Sequence, residues 1–291
     1  MLSYLRLCLA NSASLTPSLE LLKEPELISS VARHYIEKLV SENGPVTAYL
    51  DLALELLAAN PSKVPLQCLL EIVAGVPKLS AVLLSKLDMF KTLQHHNKED
   101  VREMVAQIIA VVVCQSYDTL QIDSLIHDLC RNLKEKPLEQ QHGSILTLGY
   151  TVGRIVRSHL SADRNEKSCR EQLSPRLSTA TSLVIDFLFD SLHPMTLSAA
   201  CLSVGEMGRC GPLLDSTGES SRAVEKLLNV VDDAKIGSKI REKAALAAGY
   251  LSLGELEYPR RKHVIEHFLT STEVSDPFFK KYIENHLFPN K

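Results

Sequence analysis

Four segments of the chain carry the same small-residue helical pattern, and this recurrence narrows the folds open to it. They are Val101-Arg102 with Ala106 following, Gln141–Gly149, Leu197–Gly205, and Ile240-Arg241 with Ala244, Ala245 and Gly249 following. The runs SILTLGYTVG, AACLSVGEMG and ALAAGYLSLG each set small residues and a glycine where one helix must approach its neighbour closely. Anchored at 102, 141, 197 and 241, the segments lie 39, 56 and 44 residues apart. Two of these spacings match the roughly 40–47-residue period of HEAT and armadillo repeats. The long one contains Ser161–Ser174, SADRNEKSCREQLS, a polar stretch that reads as a loop insertion in a turn. Helices in such a repeat cannot bury their apolar faces alone, so they stack into a superhelix with a continuous core.

The rest of the chain agrees with an all-α reading. Leu27, Ile28, Val31, Tyr35, Leu39 and Val40 recur at helical spacing within Pro25–Val40. The same analysis of Asp118–Lys134 groups Leu120, Ile122, Leu125, Ile126, Leu129 and Leu133 on one side. No convincing strand alternation and no Asn-Gly or Asp-Gly hairpin signal is present. Pro25, Pro45, Pro61, Pro77, Pro137, Pro175, Pro194, Pro259 and Pro277 each stand at or near an expected helix start. Proline is tolerated in a first turn because its missing N–H would lack a partner there anyway. The expectation is about fourteen helices of roughly ten to twenty residues, joined by short turns. Residues 1–291 then form a HEAT/armadillo-like α-solenoid segment of about seven antiparallel helix pairs, with the insertion at 161–174. In the HEAT pattern, an arginine early in the second helix satisfies an acidic group at the preceding turn. Asp100 with Arg102, and Asp232 or Asp233 with Arg241, are candidates for that role.

Composition fits thin aliphatic layers. There are 48 leucines against 7 phenylalanines, 8 tyrosines and no tryptophan, too few aromatics for folds and ligand pockets built on ring stacking. The apolar content of 45% rules out intrinsic disorder. A formal charge of −3 argues against binding driven by phosphate neutralisation, so no nucleic-acid partner is expected. Seven cysteines, an odd number with no C-x-x-C pair, suit a reducing compartment better than a disulfide framework or a zinc site. Five of them, Cys8, Cys68, Cys114, Cys130 and Cys201, sit in apolar runs; Cys169 and Cys210 do not. Met1–Ala10 is broken by Arg6 and lacks a basic leader, and Val105–Tyr117 is too short to span a bilayer. A soluble, intracellular chain without membrane insertion is expected.

Few residues suggest chemistry. His263-Val264-Ile265-Glu266-His267 matches the H-x-x-E-H arrangement of inverted zinc peptidases, in which two histidines one turn apart bind metal beside a glutamate base. A third protein ligand is needed, and neither Glu273 nor Glu284 stands in a matching context. Chance occurrence on an amphipathic helix is the better reading. His95-His96 precedes Asn97-Lys98-Glu99-Asp100 and reads as a polar turn, since adjacent side chains diverge and chelate poorly. Pro259-Arg260-Arg261-Lys262-His263 reads as a solvated helix start, too small for a strong electrostatic footprint. Gly205-x-x-Gly208-x-x-Gly211 has the wrong spacing and no preceding strand for a phosphate loop, so its glycines are assigned to packing. Asp276–Phe288 is amphipathic and gathers Phe278, Phe279, Tyr282, Ile283, Leu287 and Phe288 for packing on a further repeat. No catalytic, cofactor-binding or metal residue is assigned, and no cofactor is expected.

The segments QHGSILTLGYTVGR (Gln141–Arg154), AACLSVGEMGRCGPL (Ala199–Leu213) and REKAALAAGYLSLGELEYP (Arg241–Pro259) closely resemble consecutive parts of the proteasome adaptor and scaffold family. Its members are very large HEAT-repeat factors associated with the 26S proteasome. MLSYLRLCLA (Met1–Ala10) and KEDVREMVAQIIAVVV (Lys98–Val113) resemble upstream parts of the same region, in the same order. The resemblance covers essentially the whole chain; 161–174 and 215–222 depart most. Because family members are several times longer, the chain looks like an internal segment, and cut from its neighbours it would expose apolar faces at Met1–Leu9 and Phe278–Phe288. The resemblance implies a non-enzymatic scaffold that binds the proteasome core and regulatory particles and supports their association. It also implies contact with membrane-trafficking or motor proteins through other parts of the parent. The implied location is cytoplasmic, with nuclear, endosomal, ER and centrosomal association. The helix pairs alone would equally suit a HEAT adaptor for nuclear transport or phosphatase scaffolding.

Overall fold

The computed structural model describes residues 44–116, 118–133, 136–160, 167–190, 193–209 and 219–254, and the chain divides into two units, Met1–Tyr117 and Asp118–Lys291. Among the described residues there are eleven α-helices and one 3-10 turn, and no strand.

In the first unit, α1 (Pro45–Ala59) begins on a proline and turns Val46, Leu50, Ala53 and Leu57 inward at successive helical turns. It packs on α2 (Lys63–Gly75), whose Leu66, Leu69, Ile72 and Val73 are buried. Pro77 opens a 3-10 turn, Pro77–Leu79, and two short helices follow, α3 (Ser80–Leu84) and α4 (Leu87–Leu93). Both are shorter than the sequence pattern suggests, and each turns few large residues inward, chiefly Leu83 from α3 and Leu87, Phe90 and Leu93 from α4. α5 (Glu99–Ser116) packs against α2, α3 and α4. Six consecutive residues of α5, Ile108 to Val113, are buried, so the helix is enclosed around its full circumference there.

The second unit is built from three consecutive helix pairs: α6 (Thr119–Arg131) with α7 (Leu138–Leu160), α8 (Lys167–Asp190) with α9 (Pro194–Gly208), and α10 (Glu219–Asp232) with α11 (Ser238–Gly254). α6, α8 and α10 neighbour one another in one layer, and α7, α9 and α11 form the other. This is the two-layer arrangement of a helical repeat. α6 starts on a capping box, in which Asp118 accepts the Gln121 N–H while the Gln121 side chain accepts the Asp118 N–H. α9 starts on Pro194, with His193 Nδ1 accepting the Met195 N–H.

The glycines of the second layer lie where close packing requires them. A Cβ at Gly149 would collide with Ser203, and one at Gly153 with the carbonyl of Glu206. Across the next interface, a Cβ at Gly205 would come within 2.9 Å of the Ala247 Cα, and one at Gly208 would strike the Leu251 side chain. The layer repeats one device twice, with glycines on the earlier helix against the backbone or side chains of the later one. A cross-helix hydrogen bond from Ser203 Oγ to the Ile145 carbonyl, 2.9 Å, also ties α9 to α7. Gly205 and Gly208 are thus helix-packing residues, as their spacing predicts; Gly211 lies outside the described residues.

Three expectations change on contact with the structure. Leu120 is 80% exposed although it was grouped with the apolar face of α6. At 100° per residue it points opposite to Ile122, Leu125, Ile126 and Leu129, which are buried. Pro175 lies inside α8 and not at its start. It is exposed, and its own carbonyl accepts the Thr179 hydroxyl at 2.9 Å. Lys167 to Ser174, read as part of an inserted turn, are the first two turns of α8. Lys, Arg, Glu and Gln in that stretch are good helix formers, and polarity alone does not mark a loop. Residues 161–166 lie outside the described set.

Candidate functional site

His95 and His96, read from the sequence as part of a polar turn, stand together before α5. The two histidines do different structural jobs. His95 is exposed, and partial desolvation lowers its pKa. His96 Nδ1 accepts the Lys98 N–H at 3.2 Å, and its carbonyl receives Arg102 Nη1 at 2.6 Å. Arg102 Nη1 also reaches the Asn97 carbonyl at 3.1 Å, and the side chain is 1% exposed. Arg102 anchors the preceding turn through two main-chain carbonyls, where the repeat pattern predicts an acidic partner, Asp100. Asp100 accepts the Val101 N–H. A guanidinium suits this task because its fixed fork of donors can hold two acceptors at once.

No group of three or more His, Cys, Asp or Glu side chains that could hold a metal ion occurs among the described residues. His263, Glu266 and His267, the basic cluster Pro259–His263 and the aromatic face Phe278–Phe288 all lie outside the described residues. Among the described residues no helix is long and apolar enough to cross a membrane.

The four cysteines described, Cys68, Cys114, Cys130 and Cys201, are free thiols. Cys201 on α9 is fully buried, and burial pushes its pKa up to about 12 against the weaker opposing pull of Lys243, its own backbone and Lys226. It acts as a small hydrophobe. Burial also raises the Cys130 thiol, with Arg176 opposing. Cys68 on α2 is half-buried and receives the Tyr49 hydroxyl at 3.1 Å. Burial, followed by that hydrogen bond, pushes the Tyr49 pKa up to about 12, so the phenol stays protonated as the donor.

Two cation–aromatic groups had no signal in the sequence. Arg209, at the end of α9, lies 5.2 Å from the Tyr250 ring centroid on α11 and pairs with Glu206 at 3.5 Å. Arg222 and Lys226, one turn apart on α10, both lie over Phe189 of α8, at 5.0 and 5.8 Å. Sequence separation hid these partners, because only the packing of α10 on α8 brings residue 189 beside 222 and 226. The described surfaces therefore offer packed helices, capped turns and exposed charge.

The ECM29 ARM-like repeat family matches residues 12–207 of the chain. The human protein named "Proteasome adapter and scaffold protein ECM29" is 32% identical over 297 aligned positions, which cover 93% of this chain. The chain belongs to the ECM29 family. The Drosophila melanogaster "Proteasome-associated protein ECM29 homolog" is 24% identical over 94% of the chain. In both cases the chain spans 16% of the relative's length. No solved structure gives a significant match. The ARM-like repeat description agrees with the two-layer packing of α6 to α11.

Proposed function

We propose that the chain is a non-catalytic scaffold segment of an ECM29-type protein that binds the 26S proteasome and supports association of its core and regulatory particles. The observation that carries this reading is the 32% identity to the human proteasome adapter and scaffold protein across 93% of the chain. Its repeat architecture suits the role, since stacked helix pairs present extended surfaces whose binding depends on outward residues while the core stays constant. Membrane-trafficking or motor proteins would be reached through other parts of the parent protein. The proposed location is the cytoplasm, with nuclear, endosomal, ER and centrosomal association, and a fluorescently tagged full-length protein would map it.

The direct test is affinity capture of the full-length parent from cell lysate in ATP-containing buffer. Core and regulatory subunits should both be recovered. Their absence would overturn the proteasome reading. Recovery of nuclear-transport receptors or a phosphatase catalytic subunit in their place would favour the other adaptor classes.

A further inference from the structure

Arg222 and Lys226 occupy successive turns of the same face of α10, and both project onto one ring, Phe189. Like charges one turn apart repel, by a few tenths of a kcal/mol on an exposed helix. Asp190 follows Phe189 directly and Glu225 precedes Lys226 directly, yet neither cation has an ion-pair partner among the described residues. Contrast Arg176 and Arg209, which are paired with Asp123 at 3.0 Å and Glu206 at 3.5 Å. Phe189 and Lys226 are half-buried and Arg222 is exposed, so the ring forms a floor beneath a pair of cations of which Arg222 is the more open to solvent. Lys226 of α10 and Lys243 of α11 both stand near enough to Cys201 to oppose, weakly, the burial that raises its thiol pKa. Lys243 Nζ is held in place by Ser198 Oγ at 3.0 Å.

We propose that Arg222 and Lys226, positioned by Phe189, form a docking point for an acidic, carboxylate-rich peptide segment of a partner protein. Three observations point to that chemistry. The two cations share a ring and have no ion-pair partner among the described residues, so an incoming carboxylate would relieve their repulsion. The ring restricts both side chains before binding, which lowers the ordering cost of contact. The patch is small: a lipid surface generally requires clusters of four or more basic residues, and the chain's net charge of −3 disfavours a phosphate backbone. The site extends the scaffold reading by giving one surface a partner chemistry, and its test does not depend on proteasome capture.

The whole 291-residue chain would be titrated against a fluorescein-labelled peptide of consecutive glutamates, with a serine peptide of the same length as control, and read by fluorescence anisotropy. The glutamate peptide should bind, the serine peptide should not, and binding should fall as salt rises. Arg222→Gln with Lys226→Gln should weaken binding about tenfold, whereas Lys86→Gln with Lys91→Gln, exposed cations of the first unit, should leave it unchanged. Phe189→Leu keeps both charges and should weaken binding about threefold by releasing them from the ring. Circular dichroism would confirm that each variant is folded. The proposal falls if the wild-type chain ignores the glutamate peptide, or if the double variant binds it as well as the wild type. It also falls if both double variants lose affinity equally, or if an RNA oligonucleotide or phosphatidylserine vesicles bind more tightly than the peptide.

Discussion

The two units bury their helices by opposite means. In the first, α5 is enclosed by bulk: Val101, Val105, Ile108, Ile109, Val112 and Val113 fill the space between it and α2, α3 and α4. In the second, α7, α9 and α11 come together because bulk is missing, with Gly149, Gly153, Gly205 and Gly208 at the points of approach and Ala199, Ala200, Ala244 and Ala247 buried around them. The first mode gains stability from apolar area. The second gains it from close backbone contact and cross-layer hydrogen bonds such as Ser203 to Ile145. The contrast shows that helical pairs need not share one packing chemistry to share one repeat pattern.

That contrast can be tested by substitutions of opposite sign. Ile109→Ala should have the largest effect, destabilising the first unit by about 3 kcal/mol through lost burial and a residual cavity. Urea denaturation would give the total, and hydrogen exchange should place the loosening in α2 to α5. Gly153→Ala adds a methyl group where the Glu206 carbonyl stands, and should cost about 2 kcal/mol by forcing α7 and α9 apart. Faster exchange in α9 is the expected sign, and unchanged exchange there would refute close approach as the basis of the layer. Ser203→Ala removes the donor to the Ile145 carbonyl and should cost about 1 kcal/mol. A neutral result would mean that backbone contact alone holds α7 and α9.

Much of this arrangement could be read from residue order. The recurring Gly and Ala positions mark the α7–α9–α11 layer because a helix can approach another closely only where side chains are small. Prolines locate helix starts at Pro45 and Pro194 for an equally local reason. Local rules misled where two compete. Pro175 reads as a start, but the good helix formers before it carry α8 through that position. Leu120 is apolar but faces outward, and the rotation per residue places it there more reliably than its hydropathy. The turn anchored by Arg102 was legible in role, while its carbonyl partners were not, since main-chain acceptors leave no residue signature. The Phe189 group was invisible for a different reason: it joins residues more than thirty positions apart in sequence, on two neighbouring helices of one layer.

The glycine contacts of the second layer also constrain how this unit can change over time. In α5 a buried valine can become isoleucine or alanine, and neighbours can adjust volume in either direction. At Gly153 or Gly205 every substitution adds atoms, and the atoms met first are largely backbone, which no compensating side-chain exchange can remove. Such positions act as a one-way stop on sequence drift. Variation in this layer is therefore channelled to its outward residues, leaving the stacking geometry fixed while the exposed surface remains free to acquire new partners.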